Sequence, residues 1–429
     1  MFIHERNNWE KFRWDADRLA LLLDEVTREQ GKLFGRLSGL GFDDQLQTVA
    51  ENLTHDVVYS SEIEGISLNA KEVRSSIGRR LGIENVRKIA PSHYIDAVVA
   101  VMLEAMEHYD MPLSEDLLCA WQAAFFPLGY SEGSKIEVGK YRTHEEHIVS
   151  GMFGRERIHY IAPAPERVST EMDKFISWFN SEQPVSFVIR SAIAHFWFVC
   201  IHPFEDGNGR LARIIGDMML ARGDKSKMRF YNISSEINRD KSHYYEILEQ
   251  TQRGDGDITQ WIEWYLKTLL AAIKEAEHSV SSVLNKNAFW QRIAGISLSE
   301  RQINMLNLFL DGYEAKITSK NWANLAKCSK DTAIRDIQDL VQKGILREEV
   351  PNAKRPSYAI CFTTDTISQY PLFSDTRIKK EDSYYYIVTT YKGTETVRER
   401  MLKLDAERVT KGEIRIELLI EKYFSYLTT

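Results

Sequence analysis

The sequence predicts a mainly α-helical protein, and three observations support this. Apolar residues recur every three or four positions through most of the first 284 residues, the spacing that gathers them on one side of a helix. Glycine and proline, which interrupt helices, number only 23 and 10 of the 429 residues. Strand-like runs are short and confined to residues 148–162 and to the chain after residue 345. We therefore expect a helical core with a small β-hairpin, followed by a small mixed α and β region.

The composition is that of a folded soluble protein, with 43% hydrophobic and 27% charged residues. Lysine and arginine total 55 against 62 aspartate and glutamate residues, a formal net charge of −7. This mildly acidic balance argues against a chain that binds nucleic acid along its whole length. A local DNA-binding module stays compatible with it.

Cysteine spacing and hydropathy indicate the compartment. No two cysteines form a C-x-x-C pair, which argues against a disulfide framework and a thiolate zinc site; they are Cys119, Cys200, Cys328 and Cys361. The first ten residues are charged from His4 onward, and the most apolar run, around residues 192–201, is too short to cross a bilayer. We therefore expect a cytoplasmic protein with no membrane partner.

Two amphipathic helices are predicted near the start of the chain. The first begins at Asp15, a suitable N-cap, and extends to about residue 37. The second, at about residues 44–65, carries one stripe at steps of three and four residues: Leu46, Ala50, Leu53, Val57, Ser60 and Glu64. Because Glu64 continues an apolar stripe, its carboxylate should point inward and require a cationic partner.

Helical spacing then continues to residue 284 with one exception. Asn69 and Glu72 fit a capping box that opens the next helix. Further helices are predicted at residues 92–108, 115–126, 165–180, 185–201, 211–222, 241–252 and 259–284. Between Gly154 and Pro163, the run Ile-His-Tyr-Ile at residues 158–161 suits a short exposed hairpin. A polar stretch, residues 285–297, is the predicted linker.

Residues 297–362 predict three helices followed by a strand-turn-strand pattern, the element order of a winged helix-turn-helix. This region has ten Lys or Arg against eight Asp or Glu, and its presumed recognition helix offers as cations only Lys330, Arg335 and Lys343. That charge supports weak DNA contact at most, and such folds also serve as protein-interaction or dimer modules. The tail, residues 363–429, shows a strand-like run at 384–391 and a helical pattern near 397–408.

The densest chemical signal is the run from His202 to Arg213, which reads HPFEDGNGRLAR and joins an apolar helix to an amphipathic one. Its small residues place backbone N–H groups at the N-terminus of the second helix, where they and the helix dipole attract an anion. Arg210 and Arg213, one turn apart, add positive charge. Asp206 offers a hard oxygen ligand suited to Mg²⁺ with a polyphosphate, and His202 could accept a proton from an attacking hydroxyl.

Two other interpretations of this run were weighed. A helix-capping loop with a buried histidine and two surface arginines would explain any one of these residues, but six polar or glycine positions agree with the phosphate site. Gly207, Gly209 and Ala212 also satisfy the dinucleotide pattern G-x-G-x-x-A. That fingerprint follows a strand, whereas a helix precedes it here.

The run resembles the signature of Fic domains, H-x-F-x-[DE]-G-N-G-[RK]-x-x-R, at every defined position. The resemblance covers roughly residues 56–274 and implies an all-helical core that transfers AMP from ATP to a Ser, Thr or Tyr hydroxyl of a protein. It implies that His202 is the catalytic general base, that Asp206 is the Mg²⁺ ligand and that Asn208 contacts the α-phosphate.

The same resemblance implies nucleotide-binding roles for the rest of the run. Gly207 and Gly209 would shape the anion site. Arg210 would hold the β-phosphate and Arg213 the γ-phosphate.

A second match is Ser-Ser-Glu-Ile-Glu-Gly at residues 60–65, which resembles the family's inhibitory motif [ST]-x-x-x-E-[GN]. The motif positions are Ser60, Glu64 and Gly65. The resemblance implies that Glu64 pairs with Arg213 and inhibits the enzyme. The alternative is a frayed helix end with Glu64 in water.

The predicted hairpin lies where the family has a flap that pairs with an extended target segment as an added strand. The resemblance therefore implies target docking by Ile158, His159, Tyr160 and Ile161. An ordinary surface hairpin is the alternative.

The predicted organisation is an N-terminal helical region with the inhibitory helix (1–91), a Fic core (92–284), a winged helix-like domain (297–362) and a tail (363–429). The expected function is autoinhibited transfer of AMP from Mg²⁺-bound ATP to a protein hydroxyl, and a homo-oligomer is compatible with it. Two alternatives stay open: a DNA-binding regulator whose Fic core is vestigial, and a Fic enzyme that removes AMP or transfers another phosphate-linked group.

Overall fold

A computed structural model describes residues 1–83, 89–131, 133–151, 157–310, 313, 315–350, 356–361, 373–381, 384–391 and 395–410. The chain divides into two compact units, Met1–Leu284 and Asn285–Thr429. The prediction of a mainly helical fold is confirmed. Among the described residues, none of the helices combines the length and apolarity needed to cross a membrane.

The first unit is built from helices with two short hairpins. Its helices are α1 (Ala16–Leu37), α2 (Phe42–Ile63), α3 (Ala70–Arg80), α4 (His93–Glu107), α5 (Glu115–Phe125), α6 (Pro165–Asn180), α7 (Phe187–Ile201), α8 (Asn208–Asp224), α9 (Ile233–Arg239), α10 (Lys241–Gln252) and α11 (Thr259–Arg292), the last of which continues into the second unit. Its strands are β1 (Tyr130–Ser131), β2 (Ser134–Lys135), β3 (His147–Ser150) and β4 (Arg157–Ile161).

Side-chain caps explain where several of these helices begin. Asp15, Ser92, Ser114 and Ser186 each accept a hydrogen bond from the backbone N–H three residues further on. The predicted capping box at α3 is half correct. Asn69 caps the helix through the Lys71 N–H, but the Glu72 carboxylate accepts from the Ser92 N–H instead and so joins α3 to the start of α4.

Helix α7 forms the centre of the core. Every one of its residues except Phe187 is buried, and α8 packs along it. Aromatic side chains of α6 and α11, among them Phe175 and Trp261, lie against α7. A helix that is apolar on all sides must be surrounded by other helices, and this packing fixes the position of the residue that follows Ile201.

The predicted linker is wrong over its first eight residues, because α11 continues through residues 285–292. Phe289 and Ile293 are buried in the second apolar cluster of the protein. This stretch therefore has apolar residues at helical spacing, although most of its residues are polar.

The second unit contains three helices followed by a pair of strands, in the order that the sequence predicts. Helices α12 (Glu300–Leu310), α13 (Ser319–Leu325) and α14 (Lys330–Gln342) are followed by strands β5 (Leu346–Glu348) and β6 (Tyr358–Ile360), which pair antiparallel. Residues 351–355 of the predicted turn lie outside the described residues. The buried carboxylate of Asp336 on α14 accepts bonds from Arg301 and from the Trp322 indole, which ties the three helices together.

The tail contains an antiparallel sheet of β7 (Phe373–Glu381), β8 (Tyr384–Tyr391) and β9 (Glu395–Met401), followed by α15 (Lys403–Thr410). The strand prediction for 384–391 is confirmed. The helix predicted near 397–408 is wrong in its first part, where the alternating Val-Arg-Glu-Arg-Met run pairs with β8 as strand β9. Residues 411–429 lie outside the described residues.

Candidate active site

His202 is the residue that ends α7. Its backbone has a left-handed conformation, φ 50°, which is unfavourable for a residue with a Cβ and stops the helix. The Nδ1 atom lies 3.2 Å from the Val199 carbonyl oxygen, so a proton on Nδ1 is held there and Nε2 keeps its lone pair. Burial lowers the pKa of His202 to about 4. The imidazole is therefore neutral near pH 7, with Nε2 as a free base.

The loop after His202 is held by hydrogen bonds to its backbone. Asn208 Oδ1 accepts from the Phe204 N–H at 3.0 Å, and Asn208 Nδ2 donates to the Phe204 carbonyl at 2.6 Å. The Asn208 side chain is thus turned to the loop, and a phosphate contact by its amide, as the resemblance implied, would use the second N–H of Nδ2. The buried Arg142 guanidinium donates to the His202 carbonyl at 2.8 Å and to the Pro163 carbonyl at 2.6 Å.

Two glycines make the N-terminus of α8 accessible. Gly207 has φ 92°, and a Cβ there would approach the Phe126 ring to 3.2 Å. Gly209, in the first turn of α8, has no space for a Cβ because the Glu64 carboxylate lies directly against it. The unpaired N–H groups and the positive end of the α8 dipole are thus available to an anion, and here a carboxylate occupies that position.

Arg210 is a buried cation, and some of its N–H groups are unpaired within the described residues. Its Nη1 donates to the Tyr94 hydroxyl at 2.7 Å, and its guanidinium lies 4.5 Å from the Phe125 ring centre and 5.0 Å from that of Phe126. Its Nε and Nη2 have no hydrogen-bond partner among the described residues. A buried guanidinium with unsatisfied N–H groups is suited to bind an anionic ligand.

Arg213 is bound from α2 by three contacts. Its Nε donates to Ser60 Oγ at 2.8 Å, and its Nη2 donates to the Ser60 carbonyl at 2.8 Å and to Glu64 Oε1 at 2.7 Å. The Arg213 side chain is 1% exposed and that of Glu64 28%. Gly65, at φ 80°, ends α2 and lets the Ile66 N–H return to the Ser61 carbonyl, which fixes Glu64 at the C-cap.

Asp206 lies at the edge of a cleft of about 640 Å³, which is also lined by Glu64, Tyr94, Phe125 and Ser131. Its Oδ1 accepts from the Gly207 N–H at 2.5 Å, and its Oδ2 is bonded to the Ser131 hydroxyl. The carboxylate is half-buried. One carboxylate on the rim of an anion-binding cleft fits Mg²⁺, which prefers few protein oxygens together with phosphate oxygens and water.

Residues 112–220, which contain α7, the loop and most of α8, match the model of a family described as the Fic/DOC family. The chain contains a Fic domain. Residues 2–83, which contain α2 and the Glu64 motif, match a separate model described as a domain of unknown function, DUF4172.

Several proteins resemble parts of the chain. A protein adenylyltransferase Fic from Nematostella vectensis is 23% identical over 241 residues, 54% of this chain and 51% of that protein. A protein of the same name from Aedes aegypti is 35% identical over 147 residues, 32% of this chain and 28% of that protein. The chain therefore spans about half, or less, of the length of these relatives.

Solved structures of Fic proteins also align with parts of this chain. A Fic family protein from Desulfovibrio desulfuricans aligns with 80% of this chain and 95% of its own, at 19% identity and a TM-score of 0.48. Fic-1 (residues 134–508) from C. elegans aligns with 62% of this chain and 74% of its own, at 20% identity and a TM-score of 0.44.

The β3–β4 hairpin exposes fewer of its side chains than the sequence predicts. β3 and β4 pair as expected, and Ile158 is exposed, but the Tyr160 side chain is buried with its hydroxyl on the Cys200 carbonyl at 2.8 Å. Arg253 of α10 donates to the carbonyls of Ile158 and His159. Tyr160 is therefore a core residue, and only its backbone could pair with a target as an added strand; target docking by the hairpin stays a prediction.

The contact between α2 and the Fic domain includes a residue that the sequence analysis missed. Asp56 is buried on the same side of α2 as Ser60 and Glu64, at steps of four residues, and faces Asp217, which lies one turn beyond Arg213 on α8. Arg229 donates to Asp217 Oδ1 at 2.6 Å. Burial and the neighbouring Asp217 charge raise the pKa of Asp56 to about 7. The sequence signal for a buried Asp56 is its position four residues before Ser60, on the same side of the helix.

Glu137, His144 and Glu205 bring potential metal-ligand atoms within 4.8 Å of one another, a cluster absent from the sequence predictions. Protein contacts account for it, however. The Glu137 carboxylate pairs with Lys140 at 2.6 Å, and Glu205 accepts the Glu137 N–H at 2.8 Å.

Proposed function

We propose that the protein transfers AMP from Mg²⁺-bound ATP to a Ser, Thr or Tyr hydroxyl of a protein. The observation that carries this proposal is that one short loop joins neutral His202, with Nε2 free at the end of α7, to the N-terminus of α8, which suits an anion. The names of the relatives support AMP transfer as the chemistry, because they are protein adenylyltransferases.

In the proposed reaction, the target hydroxyl oxygen attacks the α-phosphorus and its proton passes to His202 Nε2. The bond from the α-phosphorus to the bridging oxygen breaks, and pyrophosphate leaves. Asp206 would hold Mg²⁺, which when bound neutralises charge on the phosphate oxygens. The N–H groups of α8 and the free donors of Arg210 bind the anionic phosphates, while Val199 holds His202 in the base tautomer.

The proposal includes inhibition by Glu64. Its carboxylate pairs with Arg213 and lies against Gly209, positions that the triphosphate would need. Removal of AMP, the alternative for the same site, would use Glu64 to orient a water. Weak DNA contact through residues 297–362, a winged-helix fold there and a homo-oligomer stay predictions.

The test is mass spectrometry of lysate proteins after incubation with Mg²⁺-ATP and the Glu64→Gly variant. We expect proteins that carry the added mass of AMP on a hydroxyl side chain. Adding His202→Ala should slow transfer by roughly 10²–10⁴-fold, because the general base is lost, while calorimetry shows ATP binding retained. Loss of ATP binding in the double variant would assign His202 a structural role, and loss of AMP from a modified protein instead of its gain would favour the reverse reaction.

A further inference from the structure

The sheet of the C-terminal unit carries four cationic side chains on one face. In an antiparallel pair, residues directly opposite each other share a face. The register gives three such rows: Arg377 with Val388 and Arg398, Lys379 with Tyr386 and Arg400, and Glu381 with Tyr384. We call the surface formed by these eight residues the basic face.

The charged part of the basic face is exposed. Arg377, Lys379, Arg398 and Arg400 are exposed and Tyr384 is 45% exposed, whereas Val388, between Arg377 and Arg398, is buried. The opposite face carries Ile387 and Met401, which are buried, and α15 packs on β8. Lys380, one residue from Lys379, belongs to that opposite face because it is paired with Tyr385.

Charge on the basic face is unbalanced. Glu381 is the single carboxylate among its residues, and it pairs with Lys379 at 2.7 Å and with Arg398 at 3.1 Å. Arg377 and Arg400 form no ion pair within the part of the chain that the structure describes. Four cations against one carboxylate leave a local excess of three positive charges in a chain whose net charge is −7.

A guanidinium group lies over each of the two tyrosine rings of the basic face. Arg398 lies 4.7 Å from the Tyr386 ring centre, and Arg400 lies 3.6 Å from that of Tyr384. Flat aromatic and guanidinium groups are the surfaces on which unpaired nucleic acid bases stack. Cations on β7 and β9 lie on either side of this central tyrosine strand, with strands about 4.8 Å apart.

We propose that the basic face binds single-stranded nucleic acid, with phosphates on the four cations and bases stacked at Tyr384 and Tyr386. This is independent of the proposed AMP transfer. A single strand fits better than a duplex, because only unpaired bases can leave their own stack and stack on Tyr384 and Tyr386. An acidic peptide would satisfy the charge but would make no use of the stacked tyrosines.

The experiment measures binding of a fluorescein-labelled 20-nucleotide oligo(U) and oligo(dT) to the full chain by anisotropy, over a range of salt concentrations. Lys379→Gln and Lys380→Gln form a matched pair, since the residues are adjacent but lie on opposite faces. Lys379→Gln should reduce the slope of log affinity against log salt by about 0.7, and Lys380→Gln should leave it unchanged. Equal effects of the two substitutions would overturn the proposal, since binding would then lie elsewhere or be diffuse.

Tyr384→Ala tests stacking without a change of charge. This substitution should weaken binding by roughly 5- to 150-fold. Because the Tyr384 side chain is exposed, its loss should leave the fold intact. An unchanged affinity, or equally tight binding of a 20-base-pair duplex, contradicts a single-strand site. Equal competition by a poly-glutamate peptide would assign the face to acidic polymers in general.

Discussion

Glu64 Oε1 lies 2.7 Å from Arg213 Nη2, and the same carboxylate lies against Gly209 in the first turn of α8. The site that suits a phosphate therefore already holds an anion, supplied by the C-cap of α2. A carboxylate and a phosphate cannot occupy the same volume, so under the proposed function the two would compete for Arg213. The strength of α2 packing thus bears directly on access to the site.

Glu64→Gly should raise the rate of AMP transfer. The substitution leaves Arg213 without a carboxylate, and an incoming triphosphate can satisfy it. If the closed arrangement is favoured by about 1.4–3 kcal/mol, the rate should rise about 10- to 150-fold. The measurement is a time course of labelled AMP incorporation.

The control for this experiment is Glu62→Gln, two residues earlier on α2. Glu62 makes no contact with Arg213 in the described structure, and a glutamine oxygen can still accept from Asn238 Nδ2 and keep α2 in place, so this variant should not be activated. Arg213→Ala should abolish the gain when combined with Glu64→Gly, because it removes the phosphate contact as well. Equal rates for wild type and Glu64→Gly, with ATP bound to both, would return Glu64 to an ordinary helix end.

The transfer rate should be insensitive to pH across the neutral range. Burial lowers the pKa of His202 to about 4, so the imidazole is already deprotonated at pH 6. As pH falls through about 4, the base becomes protonated and the rate should fall. The rate of the Glu64→Gly variant from pH 4 to 8 checks this, with circular dichroism to exclude unfolding at the acid end. A half-maximal rate near pH 6.5, the ordinary value for histidine, would contradict the lowered pKa of His202.

Tyr94→Phe should weaken ATP binding through Arg210. The Tyr94 hydroxyl accepts from Arg210 Nη1 at 2.7 Å and holds a guanidinium whose other contacts are the faces of two phenylalanines. Losing a hydrogen bond of about 0.5–1.5 kcal/mol should raise KM for ATP about 2- to 12-fold with kcat little changed. Tyr130→Phe is the control, because Tyr130 also lines the cleft but is 57% exposed. A fall in kcat alone would assign Tyr94 another role.

Local signals were sufficient for much of the fold and for the residues around His202. Helix α6 was predicted at its observed bounds, because Pro165 is favoured at the first helical position and apolar residues follow at regular steps. The run from His202 to Arg213 is contiguous, so its chemistry can be read without knowledge of tertiary structure. Glu64 was found because it continues an apolar stripe.

Features that depend on distant partners were not predictable in this way. Arg142 donates hydrogen bonds to the carbonyls of His202 and Pro163, which are 60 and 21 residues away. No local sequence pattern predicts such long-range contacts. The sequence predicts a helix where strand β9 lies, because the pairing of β9 with β8, and not its own propensity, decides its conformation. Asp56 was overlooked because a single aspartate among helical residues is ordinarily exposed.

Asp56→Asn should remove a pH-dependent loss of stability. In the folded protein Asp56 is buried near Asp217, and burial followed by the Asp217 charge raises its pKa to about 7, whereas an unfolded aspartate titrates near 3.9. The folded state therefore holds a proton that the unfolded state releases. The stability that this proton provides is complete below about pH 4 and is lost as pH rises to about 7, at up to about 1.4 kcal/mol per pH unit.

The measurement is the thermal unfolding midpoint of wild type and variant from pH 5 to 8. The difference between the two should grow in favour of Asp56→Asn as pH rises, because the amide stays neutral where two carboxylates repel. Glu51→Gln is the control on the same helix, since Glu51 is exposed and should show no such trend. A difference that is constant with pH would mean that Asp56 is ionised throughout, with Arg229 compensating both carboxylates rather than Asp217 alone.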